Sequence, residues 1–259
     1  LGRGGSDYTA SLLASFLNAS ILEIWTDVSG MYTANPSIVT QAKPIPKLSY
    51  QEAMELSHFG AKVLYPPTLQ PLIEKKIPVI IKNTFDNKSP GTIISADYNT
   101  QEKNVVKGIS HIDNVSLINL EGSGMVGIPG FSQRLFHSLS SNNINIIMIT
   151  QASSEHSICI GLIKKDAKKA EKIINDEFSL EMTLKKLNTV IVENNMVNIA
   201  VVGDKMKEHQ GISGKLFSSL GANNINIRAI AQGASERNIS IIIDKKNLKK
   251  ALNTIHERF

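Results

Sequence analysis

One stretch of this chain is spelled twice. "NNINIIMITQASSEHSICIGL" begins at Asn142, and "NNINIRAIAQGASERNISIII" begins at Asn223, 81 positions later. The likeness extends upstream, where "GFSQRLFHSLSS" from Gly130 parallels "GISGKLFSSLGA" from Gly211. Chance does not produce a match of that length, so residues from about 104 onward hold two copies of one module. Any fold for this chain must place two similar units after a front segment of a different kind.

Each copy reads the same way. An alternating apolar run ("NVSLINLEG", then "MVNIAVVG") predicts a strand. A glycine-containing turn follows, then an amphipathic helix carrying Leu135, Phe136 and Leu139 in one copy and Leu216, Phe217 and Leu220 in the other. Next come a β-rich "INIIMITQ" or "INIRAIAQ", a polar turn, another strand and a Lys-rich helix, with a last strand expected. That order is a ferredoxin-like βαββαβ layout, with helices on one face of an antiparallel sheet. The second copy lacks its closing strand within the sequence, so the strand lies beyond Phe259 or the two modules exchange strands. Neither copy holds a nucleophile, base or metal cluster. Both hold an amide pair, Asn145 with Gln151 and Asn226 with Gln232. Amides donate and accept, which suits a zwitterionic small molecule, and suits strand-end capping equally well.

The first hundred residues alternate helical and apolar extended runs, which predicts a mostly parallel α/β sheet covered on both faces. Ser49 with Glu52 three positions later has capping-box spacing at the head of "SYQEAMELSHFGAKVL". Three polar clusters fit strand ends: "GRGGSD", "TDVSGMY" and "KNTFDN". Ligands gather at such ends in open α/β sheets. In the first cluster, glycines admit close backbone approach to an anion, and a helix N-terminus follows. Arg3 supplies a planar fork for a carboxylate, Ser6 a hydroxyl, and Asp7 an acceptor for an ammonium. A Gly-Gly pair is also what any tight turn requires. Trp25 reads as core and His58 as a structural mid-helix residue.

Composition narrows the classes. The net charge of +5 comes from lysines spaced along helices, in "LIKKDAKKAEKII" and "DKKNLKKAL". That is the pattern of a solvated helix face. Aromatic residues make up 5% and do not interleave with the basic runs, so nucleic acid is set aside. No run approaches the length that crosses a bilayer, which leads to the expectation of a soluble, cytoplasmic protein. The single cysteine, Cys159, reads as a buried strand residue.

Taken together, "LGRGGSDYTA", "IWTDVSGMYTANP", "SYQEAMELSHFGAKVL" and "KNT…PGTII" occur in the order seen in aspartate kinases. "GIPG" from Gly127, followed by "NNINI…Q", resembles ACT domains, the amino-acid-binding modules that accompany them. The wording "YQEAMELS" and "IAQGASER" is similar to the bifunctional aspartokinase/homoserine dehydrogenases. The resemblance implies the C-terminal part of an amino-acid-kinase catalytic domain at 1–95, a linker at 96–103, and two ACT domains at 104–190 and 191–259. It also implies that the chain is a piece whose opening loop follows an absent first half of the kinase domain.

The implied reaction is phosphoryl transfer from ATP, with Mg2+ on its phosphates, to the side-chain carboxylate of aspartate. That is the first step toward lysine, threonine and methionine. By the same resemblance, Arg3, Ser6 and Asp7 hold aspartate, while Thr26, Asp27, Tyr32 and Lys62 line the nucleotide pocket, with Lys82 and Asn83 beside them. Gln151 and Gln232 contact an amino-acid effector, with Asn145, Asn226 and Gly130 nearby. Threonine is the expected effector, lysine the second, and a homo-oligomer built through the ACT modules is expected. Asn35-Pro36-Ser37 departs from the family's usual Asp-Pro-Arg and lacks its cation. The alternative is an amino-acid sensor that controls a partner enzyme and makes no acyl phosphate, which is how the 259 residues read when taken alone.

Overall fold

The computed structural model describes residues 4–60, 63–96, 105–151 and 156–259. The front segment runs α1 (Gly5–Phe16), β1 (Leu22–Thr26), β2 (Lys47–Leu48), α2 (Tyr50–His58), α3 (Gln70–Ile73), β3 (Val79–Asn83) and β4 (Thr92–Ile94). Its strands form a four-stranded sheet in the order β1-β3-β4-β2. The pairs β1–β3 and β2–β4 are parallel, while β3–β4 is antiparallel, so the sheet is mixed rather than mostly parallel. The reason is local: "NKSPGT" is a tight connection, too short for a crossover helix. Helix α2 starts at the capping box expected of it. Ser49 Oγ accepts from Glu52 N, and the Glu52 side chain accepts from Ser49 N. It ends at His58, which is exposed at the last turn rather than mid-helix.

The remainder contains β5 (Gly108–Glu121), α4 (Phe131–Ser140), β6 (Ile146–Gln151), β7 (Ser157–Ile163), α5 (Lys164–Glu177) and α6 (Ser179–Thr183). It continues through β8 (Ile191–Val202), α7 (Ile212–Ala222), β9 (Ile227–Gln232), β10 (Asn238–Asp244) and α8 (Leu248–His256). All six strands join one sheet, ordered β6-β7-β5-β8-β10-β9. Its centre is the long antiparallel pair β5–β8, where Gly108 faces Val202 at one end and Asn119 faces Ile191 at the other. Each of these strands serves both modules. The second half of β5 pairs with β7, whereas its first half, Gly108 to Ile112, lies beside the end of β8 that pairs with β10. The strand missing from the end of the second copy is therefore supplied from before the first.

Alternation along the strands sorts the cores. Ile118, Leu120, Leu135, Leu139, Ile160 and Ile174 pack beneath the first pair of helices. Val197, Ile199, Val201, Leu216, Leu220 and Leu252 do so in the second copy. Ala200 and Val202, on the opposite face of β8, pack with Leu48, Ala53 and Leu56 of the front segment. The second module is thus the one on which the front segment rests.

Candidate functional site

The parallel pair β1–β3 brings two of the polar clusters to one edge, with Thr26 opposite Asn83. Thr26 Oγ1 donates to Asp27 Oδ1 at 3.1 Å. Asn83 Nδ2 donates to Ser29 Oγ at 2.9 Å, and its Oδ1 accepts from Phe85 N at 2.9 Å. The loops after the two strands are thereby laced together. Gly30 (φ 107°) lies against Thr92, where a Cβ would overlap the threonine side chain. Thr92 Oγ1 in turn donates to Ile45 O at 2.6 Å and accepts from Met31 N at 2.8 Å. This fixes the segment leading to Tyr32, which is partly buried and bridged to Pro44. Beyond it, Asn35 Oδ1 accepts from Ser37 N at 3.0 Å and Ser37 Oγ at 2.7 Å, a self-contained turn without a cation.

Strand alternation puts Lys82 on the other face. Its Nζ lies 3.3 Å from Glu23 Oε1 and 4.9 Å from the centroid of the Trp25 ring. Trp25 is 47% exposed and donates from Nε1 to Glu23 Oε2 at 3.1 Å. The expectation that Trp25 belongs to the core is therefore overturned. Ile24, one residue earlier, takes the inward position, and period-two alternation turns the indole outward.

Helix α1 begins at Gly4, whose φ of 74° and close approach to Tyr65 leave no room for a Cβ. Among the described residues no side chain caps this end, where the helix's partial positive charge lies. Ser6 is exposed there and donates to Asp7 Oδ1 at 3.4 Å. The turn after α1 leads into β1, which packs against that helix. Arg3 and Lys62 lie outside the described residues.

The two repeats copy one another in detail. Asn142 Nδ2 donates to Ser138 O and Asn223 Nδ2 to Ser219 O, at 2.9 and 3.0 Å. Asn143 and Asn224 both take left-handed φ, 57° and 55°. Lys169 and Lys250 each donate to the carbonyl of the first asparagine, both at 2.7 Å. The shared "NN" is thus explained by the turn from helix to strand. Gln151 and Gln232 end equivalent edge strands, opposite Ile158 and Ile239, and both are exposed, as are Asn145 and Asn226. Gly130 and Gly211 open α4 and α7 with φ 87° and 85°, again without a side-chain cap.

In the second copy these features enclose a cavity of about 290 Å3, lined among others by Gln210, Gly211, Ser213, Gln232 and Glu236. An uncapped helix start, a hydroxyl, an amide and a carboxylate there match the two charged ends of an amino acid. Asn226 is not among the lining residues. Ser213 and Glu236 were missed by sequence reasoning. Their only signal was proximity to Gly211 and Gln232 in the repeated spelling.

Among the described residues no three His, Cys, Asp or Glu side chains converge as metal ligands, and no helix is long and apolar enough to cross a membrane. Residues 1–83 match the amino acid kinase family, and residues 118–178 and 199–259 each match the ACT domain. A bifunctional aspartokinase/homoserine dehydrogenase from Haemophilus influenzae is 44% identical over 99% of this chain and 31% of its own length. Lysine-sensitive aspartokinase 3 from Escherichia coli is 34% identical over 99% of this chain and 56% of its own. The chain therefore spans about a third to somewhat over half of these relatives. The crystal structure of Clostridium acetobutylicum aspartate kinase superposes with a TM-score of 0.90 at 32% identity, covering all of this chain and 59% of that one. Escherichia coli aspartokinase III, solved with aspartate and ADP, gives 0.80 at 33%, covering all of this chain and 56% of that one. By sequence and by structure the chain belongs with the aspartate kinases: an amino acid kinase segment followed by a pair of ACT domains.

Proposed function

We propose that the chain is part of an enzyme that transfers the γ-phosphoryl group of ATP to the side-chain carboxylate of aspartate. The products are 4-phospho-aspartate and ADP. The observation that carries this reading is the lacing together of the loops after β1 and β3 through Asn83 and Ser29, in the same segment as the glycine-opened start of α1. The solved relative that holds aspartate and ADP supports it. A carboxylate is already a nucleophile, so the protein's work is positioning and charge neutralisation rather than proton removal. In this reading Arg3 and Ser6 hold the α-carboxylate of aspartate beside the helix start, with Asp7 toward its ammonium. Thr26, Asp27, Tyr32 and Lys62 line the nucleotide, with Lys82 on the flank. Magnesium, when bound, screens the phosphates. Asp27 with neighbouring hydroxyl and amide groups is a donor set suited to a nucleotide-borne ion rather than a protein cage.

The paired modules act as an amino-acid receptor, with Gln151 and Gln232 as effector contacts, Asn145, Asn226 and Gly130 nearby, threonine as the favoured ligand and lysine second. A relative of known structure was solved with lysine and aspartate. A homo-oligomer formed through these modules is part of the same reading. The 290 Å3 cavity at Gln232 is the specific observation that keeps a purely sensory role as the second reading.

Hydroxamate trapping of the acyl phosphate, dependent on both ATP and aspartate, tests the kinase in the complete gene product. No trapped product leaves the sensor. Calorimetry with threonine, then lysine, tests the receptor. Gln151→Ala and Gln232→Ala are expected to weaken binding by about tenfold or more, the value of one or two lost hydrogen bonds to a charged ligand. Unchanged affinity in both variants would remove the effector assignment.

A further inference from the structure

Helix α2 belongs to the kinase segment, yet the second ACT module grips it along its whole length. At its start, the Glu52 carboxylate accepts from Ser49 N at 3.0 Å within its own segment and from Asp204 N at 3.1 Å in the module. The Ser49 hydroxyl donates to Asp204 Oδ2. Asp204 Oδ1 is paired with Arg237 Nε at 3.0 Å. One turn along, Asn238 Nδ2 donates to Glu55 Oε2 at 2.7 Å. At the far end Ser110 Oγ donates to Leu56 O at 2.8 Å, and Gly60 sits so close to the His111 carbonyl that it has no room for a Cβ.

The gripping residues come from three places in the module: Ser110 and His111 on β5, Asp204 after β8, and Arg237 with Asn238. The last two places adjoin the cavity at Gln232. Asp204 opens the loop that runs through Met206 to Gly211, and Arg237 and Asn238 directly follow Glu236. Met206, Gly211 and Glu236 all line that cavity. The contact is not a greasy seam. Two carboxylates, Glu52 and Asp204, meet at Ser49, one on its N–H and one on its hydroxyl. The Arg237 guanidinium is paired to Asp204, and the Lys107 charge acts on Glu52. Glu52 is 1% exposed, and burial raises its carboxyl above the usual range against the pull of its two N–H donors. Such a contact holds well in one geometry and poorly when shifted, because a displaced buried acceptor loses its partners outright. A nine-residue helix, about 13 Å long, moves as one piece.

We infer that Asp204, Arg237 and Asn238 are positioning residues that couple the amino-acid pocket to the kinase segment, with α2 as the connecting rod. The inference rests on the kinase-and-receptor reading and deepens its regulation.

The test uses the complete gene product with threonine, and lysine in parallel, as probes. Two readouts are taken: inhibition of hydroxamate formation, and amide hydrogen exchange over residues 50–58 with and without the amino acid. Asp204→Ala, and separately Arg237→Ala with Asn238→Ala, are expected to keep kcat within about threefold of wild type. They are expected to raise the half-inhibitory concentration at least about tenfold, and to make effector affinity independent of bound ATP and aspartate, as reciprocity demands. Exchange over α2 then ceases to respond to the amino acid. If both variants are inhibited like wild type, or if α2 exchange in wild type ignores both amino acids, the inference is overturned. If wild type forms no hydroxamate, the kinase reading fails by itself, and the exchange comparison still decides the joint. Should Asp204→Ala lose its cooperative melt, the Arg237/Asn238 variant, which keeps the Ser49–Asp204 bond, supplies the answer.

Discussion

Cys159 sits on β7 with its thiol pushed up to about 11, first by burial and then by the nearby Glu193 carboxylate. Below that value it stays a thiol, and thiols are poor nucleophiles. Alkylation by iodoacetamide at pH 7.5 is therefore expected to be at least about tenfold slower in the folded protein than in denaturant. A rate equal to that of the unfolded chain would show the site to be open. Ser49 offers a second residue-scale outcome. Ser49→Ala removes the N-cap of α2, and caps of this type are worth about 1–2 kcal/mol, measurable by urea unfolding. That cap was legible in the sequence because both of its partners lie within four residues. Its contact with Asp204 was not, since 155 positions separate the two and no local pattern announces such a meeting. Trp25 was misread for a related reason. An apolar residue type suggests burial, but the register of β1 decides which face it takes, and register is set by Ile24 and the partner strand.

At the scale of elements, the repeat carried most of the information. Helix positions Leu135, Leu139, Leu216 and Leu220 were identifiable from spacing, and all four are buried. Leu135 and Leu216 serve separate cores, so each change to alanine is expected to cost about 2–5 kcal/mol, with the two costs adding in the double variant. Strand exchange is where reading by elements ran out. Periodicity marks a strand but does not say which neighbour it will join, because pairing is a long-range contact. The sequence left two sources for the second module's last strand, and Gly108 to Ile112 fills the place. A polypeptide of residues 191–259 alone should therefore melt with low cooperativity, while one of residues 105–259 should melt sharply. Circular dichroism against temperature separates the outcomes. Equal sharpness would mean that the exchanged strand adds little.

For the molecule as a whole, the contact between kinase segment and second module governs how the two halves respond together. Besides the α2 joint, Thr33 Oγ1 and His256 Nε2 lie 2.8 Å apart across the seam, and Ile109 N donates to Thr33 O at 2.8 Å. The imidazole borders a cavity of about 550 Å3 that Lys43 and Lys107 also line. Burial depresses the affinity of His256 for a proton below the usual value of 6.5, and Lys43 adds to this, with Glu257 opposing. The sign follows directly. A histidine with a lowered native value binds fewer protons folded than unfolded, so stability rises with pH across the interval between the two values. Its contribution is complete above about 6.5 and is lost as pH falls through the native value. His256→Phe removes the titration while keeping a ring of similar size against the apolar wall. The difference in Tm, wild type minus variant, is expected to be larger at pH 7.5 than at pH 5, whatever its absolute value. A flat difference would mean that the ring is solvated equally in both states, and that the seam does not exclude water at this point.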